Sequence, residues 1–148
     1  MPIRSRVVAK AVSSSEGRGR LESPPYDPAA DVARLMPGDG PIEVTTVDGC
    51  GVRGGDVAIK IDVEGGELEV LHGAKETIDA ARACAVVIEA HPLVAARTGR
   101  DPVECLQFLE SIRPFSFLVA ETGARISTSA PIPRDGQAEV WNVIGESI

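Results

Sequence analysis

The chain of 148 residues is long enough to bury one hydrophobic core, so we expect a single domain over residues 1–148. Its formal net charge of -7 argues against nucleic acid as a partner, because phosphate binding requires clustered Lys and Arg. No apolar run approaches the roughly 20 residues that span a membrane, and no apolar leader follows Met1, so we expect a cytoplasmic protein without a membrane partner.

The N-terminal third of the chain predicts two strands separated by a long loop. The run from Arg6 to Val12 is rich in Val and Ala, which favours a strand. Five prolines and two glycines occur over residues 23–41 and deny the backbone regular hydrogen bonds. We therefore predict a surface loop over 23–41, with a helical turn near Asp31–Met36. Apolar and polar residues alternate from Ile42 to Val47, which is the period of a half-buried strand.

Strands and helices alternate in the rest of the chain. The predicted segments are a buried strand at Val57–Asp62, a helix at Glu67–Arg82, a strand at Ala85–Glu89, a helix from Asp101 to Pro114, and strands at Phe115–Ala120 and Ala138–Ile144. Asp101, Pro102 and Glu104 have the spacing of a capping box. This order predicts an α/β fold in three layers, with a mostly parallel sheet and an antiparallel last strand, because no helix precedes that strand.

Two patterns that resemble ligand sites are better explained by structure. Cys50, Cys84 and Cys105 are widely spaced and form no Cys-x-x-Cys pair, so we interpret them as reduced, structural residues. Residues 49–54 fit the Gly-x-Gly-x-x-Gly pattern of a nucleotide loop, which requires a helix directly after it. Only two residues separate this pattern from the next predicted strand, so we interpret it as a linker.

Four polar residues lie around the ends of two predicted strands. Asp62 and Glu64 end or follow the strand at 57–62, and Glu89 and His91 end or follow the strand at 85–89. Ligands bind open α/β sheets beyond the carboxyl ends of the strands, and neighbouring strands lie about 4.8 Å apart. We therefore expect these four side chains to face one cleft.

Several of these residues also have purely structural interpretations. Asp62 and Glu64 could cap the following helix, and the carboxylates of Glu67 and Glu69 suit the positive end of its dipole. Lys60 is expected to pair with a carboxylate rather than to take part in chemistry.

The segment Ile59–Ala74, IKIDVEGGELEVLHGA, resembles the signature of FkbM-type methyltransferases. In that signature a strand ending in Lys-Ile-Asp-Val-Glu-Gly leads into a helix with Val-Leu-x-Gly-Ala. Further matches keep their order, at Ala11-Val12-Ser13, at Thr46-Val47-Asp48 and at Val87–Pro92. The resemblance covers about residues 6 to 145.

The resemblance implies a Rossmann-like class I fold and transfer of a methyl group from S-adenosylmethionine to a small-molecule hydroxyl, on a sugar, a lipid or a secondary metabolite. It assigns residues to two roles, catalysis by Glu64, Glu89 and His91, and cofactor binding by Asp62, Val63 and Glu67. The glycine-rich cofactor loop of such enzymes would lie upstream of Arg6, so we expect a shortened chain.

Two alternatives remain open beside methyl transfer. Without its neighbouring strand, the strand at 57–62 would be an exposed sheet edge, which predicts a homo-oligomer and allows a non-catalytic remnant or interaction module completed by another chain. Alternatively, Asp62, Glu64, Glu89 and His91 could hold a divalent metal ion, since oxygen ligands with one imidazole suit magnesium or manganese.

Overall fold

A computed structural model describes residues 5–23, 33–90, 98–129 and 141–148. The first part of the chain forms a small four-stranded sheet in the order β1-β4-β2-β3. Its strands are β1 (Ala11–Val12), β2 (Gly17–Glu22), β3 (Arg34–Pro37) and β4 (Ile42–Thr45). The pairing of β1 with β4 is parallel, whereas β2 is antiparallel to both of its neighbours.

Three expectations for this part of the chain need correction. The strand predicted at Arg6–Val12 is limited to β1, and the loop predicted over 23–41 contains β3. Residues 34–36 pair with β2 instead of forming the helical turn expected at 31–36, of which residues 31–32 lie outside the described ranges. Pro37 is tolerated because β3 is an edge strand, where a missing amide breaks no ladder. The strand expected at 42–47 is confirmed as β4.

The second part forms a five-stranded sheet in the order β5-β6-β9-β7-β8. Its strands are β5 (Asp56–Ile61), β6 (Ala83–Ala90), β7 (Phe115–Val119), β8 (Arg125–Ile126) and β9 (Trp141–Ser147). The prediction of a mostly parallel sheet is wrong, because only the β5-β6 pairing is parallel. The predicted antiparallel last strand is confirmed, although it ends at Ser147 rather than at Ile144 and residues 138–140 lie outside the described ranges.

The position of β9 explains the mixed character of this sheet. β9 lies between β6 and β7 and is antiparallel to both, so these two strands run in the same direction but do not touch. Residues 127–140 connect β8 to β9, and of these only 127–129 lie in the described ranges.

The helices pack on one face of the large sheet. They are α1 (Glu67–His72), α2 (Lys75–Ala80) and α3 (Val103–Ile112). Their apolar residues, among them Leu71, Ile78 and Leu109, form one core with the inward-facing residues of β6, β7 and β9. Residues of β6 that face the other way, such as Val87, are only half-buried. Among the described residues the fold is therefore a mixed α/β arrangement with helices on one face, and the expected second helical layer is not seen.

The helix predicted over Glu67–Arg82 is broken at Gly73. A Cβ atom on Gly73 would lie 2.1 Å from the carbonyl oxygen of Ser13, so the small sheet packs directly against the helix backbone here. α2 then starts anew, and Asp48 caps it from outside by accepting bonds from the amides of Glu76 and Thr77 at 3.1 and 2.8 Å. The contacts at this break thus connect the helices to the small sheet and to the segment that follows it.

The capping box at the start of α3 is confirmed by two reciprocal bonds. The amide of Val103 donates to Asp101 Oδ1 at 2.9 Å, and the amide of Asp101 donates to Glu104 Oε1 at 3.2 Å. Cys84 and Cys105 are buried, and burial raises the pKa of the Cys105 thiol to about 12, which fits a packing role.

The glycine-rich segment at 49–54 is a linker, as expected. Its first residues form a single 3-10 turn at Asp48–Cys50, and β5 begins at Asp56 with no helix between. No helix in the described ranges is both long and apolar enough to span a membrane.

Candidate functional site

The carboxyl ends of β5 and β6 bring two predicted site residues together. Ile61 pairs with Ile88 in the parallel ladder, which places Asp62, just after β5, beside Glu89. The two carboxyl groups shift each other's pKa in opposite directions. Repulsion between two neighbouring carboxylates favours a proton on one of them.

The surroundings act on the two carboxyl groups in opposite directions. Interaction with Glu89 and with the Lys60 ammonium lowers the pKa of Asp62. Interaction with Asp62, burial and the negative charge of Glu64 raise the pKa of Glu89. Lys60 Nζ lies 3.6 Å from Asp62 Oδ2, which fulfils the expectation that Lys60 pairs with a carboxylate. Asp62 is therefore the stronger acid of the pair, and Glu89 is the stronger base.

A groove of about 470 Å³ lies beside this pair, between the small sheet and the loop that follows β5. This volume is within the range of pockets that bind organic ligands, which is about 300 to 1,000 Å³. One wall is formed by Asp62, Val63 and Glu64. The other wall is largely apolar and includes Leu21 and Leu35, which are cross-strand partners in β2 and β3.

A second, much smaller space lies on the helix side of the same loop. It has a volume of about 30 Å³ and is lined by Gly65, Glu67, Glu89 and the segment that leads into α3. A space of this size holds only a few water molecules. Of these two spaces around the acidic pair, only the groove can accept an organic molecule without rearrangement.

Glu67 is the first residue of α1 and faces the smaller space. Its Oε1 accepts a hydrogen bond from the amide of Gly65 at 3.0 Å. Burial raises the pKa of the Glu67 carboxyl, and this effect outweighs the opposing hydrogen bond from Gly65. Glu67 therefore does more than start the helix, because its burial destabilises the ionised carboxylate relative to the protonated form.

Glu69 has a partner that the sequence does not reveal. Its Oε1 forms an ion pair with Nη1 of Arg100, a residue 31 positions away in the chain. Its Oε2 is buried and has no hydrogen-bond partner. This ion pair links the first turn of α1 to the segment before α3, and its two members line different spaces, Arg100 the smaller one and Glu69 the groove.

The structure divides the predicted site residues between two neighbouring spaces. Asp62, Val63 and Glu64 line the groove, whereas Glu67 and Glu89 line the smaller space. The neighbouring positions of Asp62 and Glu89 connect the two groups. His91, the remaining predicted residue, lies outside the described ranges.

The metal alternative gains no support from the described part of the chain. No group of three or more His, Cys, Asp or Glu side chains within it has an arrangement that could hold a metal ion.

Comparison with known proteins gives one match. The family model of the methyltransferase FkbM domain matches residues 41–116, just over half of the chain. That range includes β4, the loop after β5, α1 and the carboxyl end of β6, and so it contains both members of the acidic pair. No curated protein and no solved structure matches the chain significantly.

Proposed function

The chain belongs to the FkbM methyltransferase family, and from that premise we propose that it transfers the methyl group of S-adenosylmethionine to a hydroxyl oxygen of a small molecule. The acceptor classes that fit are sugars, lipids and hydroxylated secondary metabolites. We propose a Rossmann-like origin for the large sheet, because β5, β6 and β7 run in the same direction and the site lies at their carboxyl ends.

The observation that carries this proposal is the placement of Glu89, whose pKa is raised, next to Asp62, which lines the groove. O-methylation requires a group that removes the hydroxyl proton as the new bond forms, and a carboxyl with a raised pKa is a stronger base than an ordinary glutamate. Glu89 meets that requirement. Asp62 lies beside it and lines the groove, and the pKa of Asp62 is lowered.

The groove suits the cofactor in size and in its mixture of charges. S-Adenosylmethionine carries a positively charged sulfonium, an amino group and a carboxylate, and the groove is lined by Asp62 and Glu64 and by Lys10 and Arg34. The ribose hydroxyls need hydrogen-bond acceptors, which Asp62 and Glu64 provide. The adenine ring needs apolar contacts, and Val63 with the Leu21–Leu35 pair supplies them. The described residues thus fit the cofactor.

In the proposed reaction the residues position the reactants and move one proton. S-Adenosylmethionine, when bound, supplies an electrophilic methyl group, which the acceptor oxygen takes as the sulfur–carbon bond breaks. Glu89, once deprotonated, accepts the hydroxyl proton, and Glu64 orients the acceptor by hydrogen bonding. Val63 and Glu67 hold the loop and the start of α1 beside the cofactor. His91 remains a further proposed proton acceptor.

The test combines cofactor binding with methyl transfer. We expect calorimetry to detect stoichiometric S-adenosylmethionine binding, and labelled methyl to appear on an acceptor from a panel of sugars, lipids and polyols. Glu89→Gln should lower kcat by about 100-fold or more while leaving cofactor affinity nearly unchanged, which is the scale of losing a general base. Asp79→Asn, an exposed acid on α2, is the matched control and should leave both quantities unchanged.

The pH profile provides an independent readout. Activity should rise with pH as Glu89 loses its proton, because only the deprotonated carboxylate accepts one. In Asp62→Asn the neighbouring charge is lost and the amide can donate to Glu89, so the pKa of Glu89 should fall and the rising limb should move to lower pH. A protein that binds no S-adenosylmethionine and methylates nothing would support the non-catalytic interaction module instead.

A further inference from the structure

The free edge of β5 is an unfilled hydrogen-bonding surface. β5 is an edge strand of the large sheet, and among the described residues its strand partner is β6 alone. In a parallel pair, alternate residues of an edge strand point their amide and carbonyl groups away from the partner. Lys60, Ala58 and Asp56 are exposed on one face of this strand. Along its free edge, no other described strand pairs with the amide and carbonyl groups that point away from β6.

The same chain exposes a segment with the composition of a strand. Residues 6–10, Arg-Val-Val-Ala-Lys, lie in no strand although their Val content favours one, because only the next two residues pair in the small sheet. The side chain of Val7 is 91% exposed and that of Val8 is 39% exposed. The two adjacent valines expose apolar surface to water, so covering this segment lowers the free energy.

We propose that residues 6–10 of one copy pair with the free edge of β5 in a second copy, and that the exchange is reciprocal in a two-fold dimer. The lengths agree, since five extended residues span about 17 Å and β5 has six residues. Main-chain hydrogen bonds would supply affinity, as in other cases of strand addition, and the two valines would add burial. A reciprocal exchange forms this contact twice and leaves no β5 edge open.

The charges of the two partners have opposite signs. The segment has a cation at each end, Arg6 and Lys10, in a chain whose net charge is -7. β5 begins with Asp56 and is followed directly by Asp62. Lys10, Asp56 and Asp62 already pair with Glu43, Arg82 and Lys60, so charge would only steer the encounter. Backbone bonding and valine burial would provide most of the affinity.

Sedimentation and amide hydrogen exchange test this dimer directly. We expect a dimer whose population rises with protein concentration, together with protection of residues 6–10 and of alternate amides in β5 over the same concentration range. Val7→Asp combined with Val8→Asp should weaken the dimer by at least ten-fold. Val52→Asp is the control, because Val52 is 47% exposed elsewhere and its change should leave the dimer intact.

A synthetic peptide of residues 5–10 gives a second measurement that does not depend on folding of a variant. It should compete with the dimer, whereas the same peptide with proline at the position of Val8 should not, because proline removes an amide donor. A chain that stays monomeric at every concentration would overturn the proposal. So would a dimer that both variants leave intact, or concentration-independent protection of β5 in a monomer, which would mean that the segment pairs with its own edge.

Discussion

Glu67 illustrates how the fold changes the chemistry of a single carboxyl group. Its burial raises the pKa, so the folded protein binds this proton more tightly than the unfolded chain does. Protonated Glu67 therefore favours the folded state at low pH. That contribution is lost as the pH rises through the raised pKa, where a buried charge without a cation partner must be formed.

This predicts that Glu67→Gln stabilises the protein at neutral pH. Glutamine keeps the oxygen that accepts the Gly65 amide but cannot become charged, so the decline in stability between the ordinary glutamate pKa and the raised one should shrink. Urea unfolding from pH 4 to 8 measures this. Glu110→Gln, an exposed residue on α3, should leave the pH dependence unchanged. A variant at position 67 that follows the parent protein at every pH would contradict the assignment.

At the residue scale the sequence predicts contacts that strand ends dictate, and it misses contacts between distant segments. Asp62 and Glu89 meet because each lies at the carboxyl end of its strand, a position visible in the chain itself. The pair of Glu69 with Arg100 has no such signal, because only tertiary packing brings a residue 31 positions away into contact. The unequal pKa values of Asp62 and Glu89 likewise depend on their surroundings in three dimensions.

At the scale of elements, backbone contacts of Asp48 decide where α1 ends. The apolar stripe continues across Gly73, so periodicity alone predicts one helix. The helix is interrupted because the Gly73 carbonyl accepts from the Asp48 amide and the Thr77 amide donates to the Asp48 carboxylate, in place of a bond between Thr77 and Gly73. Glycine is needed at position 73 because the Ser13 carbonyl occupies the space of a side chain. A single glycine within a helical pattern does not indicate which distant groups will contact it. The sequence therefore predicts the helix but not its interruption.

Gly73→Ala is therefore expected to destabilise the protein by about 2 kcal/mol or more, since overpacking of a filled site typically costs about 1 to 3 kcal/mol. The added methyl would meet the Ser13 carbonyl and push the small sheet away from the helices. Gly66→Ala is the matched control, because its nearest contact would be an ordinary 3.6 Å to Val63. Equal unfolding free energies for the two variants, measured in urea, would argue against this close packing.

At the scale of the whole molecule, strand order is the feature that the sequence predicts least well. The alternation of strands and helices predicts the α/β class and the antiparallel last strand correctly. It does not reveal that β9 inserts between β6 and β7, since any of several sheet positions would bury its apolar side chains. The result is a mixed sheet in place of the mostly parallel one.

The central position of β9 predicts that β6 and β7 lose protection together. Val143 is 1% exposed and lies in the middle of β9, opposite Ile88 on one side and Val119 on the other. Val143→Ala should speed amide exchange in both neighbouring strands, and Ile148→Ala, at an 82% exposed position, should speed neither. Faster exchange in only one neighbour would contradict a shared cooperative unit.

Strand order also governs how this protein emerges during synthesis. β6 and β7 leave the ribosome before β9, which lies between them in the folded sheet. Until β9 is made, the edges of β6 and β7 that face it have unpaired amide and carbonyl groups. The large sheet closes only when residues 141–147 thread between them. The acidic pair at the end of β6 therefore lies on a complete sheet only after β9 has been synthesised.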